Sequence, residues 1–81
     1  MPYMLIWPIS GQLEIHPTLE DAYDVLRRSQ WSHYSDLAFR LEMHKRAKVW
    51  SRSHLRFWLP KAAFMRDLER CKMVSIKSLK D

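Results

Sequence analysis

The only glycine of the chain, Gly11, lies in Pro8-Ile9-Ser10-Gly11-Gln12, between two short runs, Tyr3 to Trp7 and Leu13 to His16. Proline presets one turn dihedral and glycine takes positive φ without steric cost, so this spacing predicts a β-hairpin. Leu13 and Ile15 alternate with Glu14 and His16. The alternation predicts that Leu13 and Ile15 face a core, while the first strand is apolar on both faces. A lone hairpin is marginal in water, so the rest of the chain must cover it.

The rest reads as helix. Thr18 caps a start at Pro17-Thr18-Leu19-Glu20-Asp21, and the acidic side chains stand where the helix dipole favours them. Leu19, Ala22, Tyr23 and Leu26 form an inward stripe, Asp24, Arg27 and Arg28 are solvated, and the helix ends near Ser29 to Ser32. A second helix, capped by Ser32 or Ser35, runs to about Trp50 with Tyr34, Leu37, Ala38 and Leu41 as its expected buried stripe. Ser51-Arg52-Ser53-His54 reads as a break, or as a bend in a helix that continues, since nothing there forbids helical dihedrals. Pro60 suits the first turn of a last helix with Ala63, Phe64, Leu68 and Cys71 inward, and the alternating tail Met73 to Leu79 suits a third strand or a frayed end. The expected architecture is a single α+β domain over residues 1–81, a hairpin packed on two or three helices. On this reading Leu26→Ala and Leu41→Ala would each cost about 2–5 kcal/mol.

At 81 residues one core is all the chain can build. Cys71 is the only cysteine, so no internal disulfide staples it, and an unpaired thiol suits a reducing compartment. The start lacks a charged n-region and is broken by Pro8, unlike a signal peptide, and no apolar run approaches the roughly 20 residues of a membrane span. The expectation is a cytoplasmic protein.

The apolar hairpin, the helix start Thr18-Leu19-Glu20-Asp21-Ala22, Trp31 after that helix, and Ala62-Ala63-Phe64 opening a late helix resemble a family of short alphaproteobacterial proteins known as domain of unknown function 982. The family pattern has proline after the tryptophan, then glycine and a mid-helix cysteine, whereas here Ser32 follows Trp31. The resemblance implies a fold and a bacterial setting, and no activity.

Catalytic and metal chemistry find little footing. His16, His33, His44, His54 and Cys71 are too widely spaced for a local zinc site, so no metal or cofactor is expected. Ser53 beside His54 lacks a glycine-containing turn and an orienting carboxylate, one glycine makes no phosphate-cradling loop, and Glu20/Asp21 and Asp67/Glu69 fit capping and solvation. Cys71, between Arg70 and Lys72, belongs to an apolar stripe. No enzyme is expected.

Charge is the stronger signal. Residues 1–39 carry a net charge of −3, residues 40–61 of +6 and residues 62–81 of +2. Concentrated positive charge favours anionic partners. The expected partner-binding residues are Arg40, His44, Lys45, Arg46, Lys48, Trp50, Arg52, Arg56 and Trp58, with His54 and Phe57 among them. Arg40, His44, Lys48 and Arg52, each four apart, would form one stripe on a continuous helix. Trp50, Phe57 and Trp58 are open between core and interface. Two functions fit: a small bacterial or phage-borne regulator docking on an acidic protein or nucleoprotein through residues 40–61, or a sequence-nonspecific nucleic-acid binder. An exposed tryptophan patch would also suit a homodimer. Joint reversal of Arg46, Arg52 and Arg56 to glutamate is expected to abolish binding and spare the fold.

Overall fold

The computed structural model describes residues 2–8, 10–30 and 34–79; Ile9 of the turn, Trp31, the alternative cap Ser32 and His33 lie outside them. The elements are β1 (Tyr3–Trp7), β2 (Gln12–His16), α1 (Leu19–Gln30), α2 (Asp36–Trp50), α3 (Lys61–Arg70) and β3 (Ser75–Ser78). The fold is α+β: an N-terminal antiparallel hairpin, three helices and a C-terminal strand in a sheet of order β2-β1-β3.

Local chemistry sets most element ends. Gly11 takes φ 70° and donates its N–H to the Trp7 carbonyl at 2.8 Å, closing the hairpin. The Thr18 hydroxyl accepts from the Asp21 N–H at 3.1 Å and the Ser35 hydroxyl from the Ala38 N–H at 3.2 Å, each satisfying an orphan donor of a helix start. Pro60 is the N-cap of α3, one residue before the first turn proper. The tail is a true third strand, with Met4 opposite Lys77 and Leu5 opposite Ile76.

The core centres on three rings. Tyr23 of α1 stands edge-on to Phe39 of α2 and Phe64 of α3 at 5.5 Å each, and Phe39 and Phe64 are 6.1 Å apart. Leu5, Leu19, Leu55, Met65, Leu68, Cys71 and Ile76 complete it.

Two expected faces are reversed. Leu13 and Ile15 are 56% and 60% exposed, whereas Glu14 is half-buried and His16 buried, its Nε2 2.7 Å from Glu14 Oε1. The register explains this: Glu14 pairs with Leu5, which is fully buried under the helices, so Glu14 shares the inward face and its neighbours turn outward. On α2 the buried residues are Phe39, Met43 and Ala47. Tyr34, Leu37 and Leu41 are exposed, Leu37 at 58%. The helix has apolar residues on two opposite faces, and the one bearing Phe39 takes the inside because its ring completes the aromatic trio. Phe39→Ala is therefore expected to cost about 3–5 kcal/mol in urea unfolding, and Leu41→Ala less than about 1 kcal/mol.

Candidate binding surface

Residues 51–60, between α2 and α3, have no regular structure, so their main-chain groups need side-chain partners. Basic residues supply many of them. Arg40 donates from Nη1 to the Phe57 carbonyl at 3.0 Å and to the Leu59 carbonyl. Its Nε reaches the Tyr23 hydroxyl at 2.9 Å and Asp36 Oδ2 at 3.1 Å, and its guanidinium lies about 5 Å over the rings of Tyr23 and Phe64. His44 Nδ1 is 2.8 Å from the Leu55 carbonyl, which can only accept, so this nitrogen carries the proton. The Arg70 guanidinium donates to the His54 carbonyl.

Asp67, buried on α3, anchors the same segment from the other side. Its carboxylate accepts from the Arg56 main-chain N–H at 2.8 Å, from the Arg56 guanidinium at 2.8 and 3.1 Å, and from Arg70 at 2.8 and 3.2 Å. Burial alone would raise its pKa, but the bonds from Arg70 and Arg56 outweigh this and hold the carboxyl well below the usual range. The same contact raises the Arg70 pKa. Tyr23 moves the other way, pushed up to about 12 by burial and by the bond its hydroxyl donates to Asp36. Burial also raises the Cys71 thiol.

The expected site residues therefore divide. Arg40 and His44 turn into the fold and hold the connecting segment. Arg56 is exposed at its tip but paired with Asp67, so the triple charge reversal would not spare the fold as expected: glutamate there would face a buried carboxylate. Arg52 has left the helix, with φ 54° just past the C-cap Ser51, a left-handed position that glycine usually fills. The stripe expected through Arg40, His44, Lys48 and Arg52 is thus broken at three of its four members. Arg46 is half-buried, its guanidinium 5.8 Å from the Trp50 ring.

Lys45, Lys48 and Arg52 remain exposed and make no ion pair among the described residues. Beside the two lysines, on the outward side of α2, stand Leu37, Leu41 and Val49, whereas Trp50, 53% exposed, lies at the helix end on the side of Met43 and Arg46. Trp58, 67% exposed, ends a run of rings that passes through Phe57 and His44 to His54, with centroids 5.3, 5.8 and 6.2 Å apart. Trp50 and Trp58 belong to the surface, and Phe57 is half-buried. Leu37, Leu41 and Val49 were missed as surface residues, although a 15-residue helix with apolar side chains on both faces was visible in the sequence.

Among the described residues no three His, Cys, Asp or Glu side chains gather as metal ligands, and no helix is long and apolar enough to cross a membrane. The Ser53 hydroxyl donates to the Ser51 carbonyl at 3.3 Å. Comparison of the chain with family models, with curated proteins and with solved structures returns no match.

The Asp67 cluster sets an acid dependence. The native carboxyl protonates at lower pH than the unfolded one, whose pKa is near 4, so its contribution is present above about pH 4 and is lost as the pH falls below it. Urea unfolding between pH 6 and about pH 2 is expected to show this loss, with a flatter profile in Asp67→Asn. Asp67→Ala, which strips the Arg56 N–H of its acceptor, is expected to cost about 2–4 kcal/mol at neutral pH.

Proposed function

We propose that this chain is a non-catalytic binding protein, a small bacterial or phage-borne regulator that docks on an acidic protein or nucleoprotein surface through the outer face of α2 and the segment that follows it. The observation that carries this reading is the mixed character of the exposed surface: Leu37, Leu41 and Val49 lie with Lys45 and Lys48 on the outer side of α2, and the segment that follows exposes Arg52 and Trp58. Exposed aliphatic side chains do nothing for phosphate, whereas an apolar centre with tryptophan anchors and a charged rim is the usual make-up of a protein interface. The cations steer an acidic partner and the apolar residues supply the affinity. Arg40 and Arg56 are already matched by Asp36 and Asp67, which leaves less free positive charge than the sequence suggests.

The nucleic-acid reading keeps one specific support, the ring run from His54 through His44 and Phe57 to the exposed Trp58, which suits base stacking. A photo-crosslinking side chain at position 41 or 58, introduced in the native cell, separates the two. Adducts are expected to be proteins with acidic surfaces, absent when the crosslinker sits at Glu20, and lost in Lys45→Glu/Lys48→Glu, whose unfolding midpoint stays that of the wild type. Adducts to nucleic acid, or none above the Glu20 control, would contradict the proposal.

A further inference from the structure

The two edges of the sheet differ. β3 is four residues long and exposes Ser75, Lys77 and Ser78; a short edge with a lysine is protected against pairing with another chain. β2 has five residues, contains neither proline nor lysine, and exposes Leu13 and Ile15. Their side chains adjoin Met4 and Ile6 of β1, so an apolar patch runs along the outer face to the β2 edge.

The main chain faces the same way. The Leu79 N–H donates to the Pro2 carbonyl at 2.9 Å and extends the pairing of β1 with β3. Bonding direction alternates along an antiparallel strand, so Met4 and Ile6 bond toward β3, and Tyr3, Leu5 and Trp7 toward β2. Within β2 this commits Gln12, Glu14 and His16 to β1, and the N–H and C=O groups of Leu13 and Ile15 point away from the sheet. On the inner face, Gln12 and Glu14 form one wall of a cavity of about 400 Å³, lined further by Trp7, Leu26, Met43 and Trp50, with Arg46 at its side.

We propose that the β2 edge accepts an extended segment of another protein as a fourth strand. The outward side chains of the segment pack beside Leu13 and Ile15. Its inward side chains stand next to Gln12 and Glu14, where a large apolar one meets the cavity. Acidic residues flanking the segment suit a chain of net charge +5 with Arg46 among the residues lining the cavity.

A second copy fits worse. Pairing its β2 antiparallel about the strand midpoint would set Glu14 directly against Glu14, two like charges on the inward face. Packing two sheets face to face fares no better. Two strands of five residues present a footprint of roughly 10 by 17 Å, far below the about 800 Å² per partner that a stable interface buries. The inference uses none of the residues assigned to the α2 surface other than those lining the cavity, and stands or falls apart from that function.

A library of blocked nonapeptides tests it, with valine at the outward positions, glutamate at both ends, and varied inward residues. Members with an aromatic or large aliphatic inward residue are expected to bind the full chain and to slow exchange of the Leu13 and Ile15 amides. N-methylation of alternate peptide amides should weaken them at least about tenfold. Ile15→Lys should weaken them equally while leaving the unfolding midpoint unchanged, and Lys45→Glu/Lys48→Glu should not weaken them. The proposal is overturned if no member binds below about 1 mM, or if binders protect amides of α2 in place of Leu13 and Ile15. It is equally overturned if those two amides are already protected in the free protein through a dimer seen by sedimentation.

Discussion

The Arg40 guanidinium is the contact on which the binding surface depends. It lies about 5 Å over the rings of both Tyr23 and Phe64, is bonded to Tyr23 and Asp36, and donates to two carbonyls of the segment between α2 and α3. Hydrogen bonds to a charged group contribute about 1.5–3 kcal/mol each, a large share of what a domain of this size has. The segment could not hold its shape alone. His44 from α2, with Asp67 and Arg70 from α3, secure the stretch from His54 to Arg56, so helices on both sides grip one irregular piece of chain.

The electrostatic character of the surface follows from that grip. The charge gathered in residues 40–61 is partly consumed in folding, since Arg40 and Arg56 meet Asp36 and Asp67. What faces solvent is a smaller set of cations, with Lys45 and Lys48 beside exposed leucine and valine on the outer side of α2. The helix that carries them is also the least amphipathic in the chain: one apolar face completes the core through Phe39, Met43 and Ala47, and the other is left outward. The sheet repeats the pattern, with Leu5 inward and Leu13 and Ile15 outward. Exposed apolar residues grouped in this way are a mark of surfaces that meet other molecules.

The α+β architecture was legible because its signals are local. Gly11 needs positive φ, Thr18 and Ser35 cap the helices they precede, and Leu19, Ala22 and Tyr23 share one helical face that packs inward. Facing was not legible where both choices were apolar. β1 is hydrophobic on both sides, so only its register with β2, which sets Glu14 opposite Leu5, decides that Leu13 and Ile15 turn outward. Of the candidate site, Lys45, Lys48, Arg52, Trp50 and Trp58 are on the surface. Arg40 and His44 serve main-chain carbonyls, and Arg56 a carboxylate, that lie 11 or more residues away, and nothing in residue spacing announces such contacts.

If side chains hold this segment in one shape, its main chain must behave as part of the folded unit although it belongs to no helix or strand. The most direct measurement is native-state hydrogen exchange of the Arg56 amide, whose N–H is bound by the buried Asp67 carboxylate. Exchange is expected to be slow, close to that of the β1 amides, and to accelerate in Arg40→Leu while the β1 amides keep their protection. An Arg56 amide that exchanges at the rate of an unstructured peptide in the wild type would contradict the account.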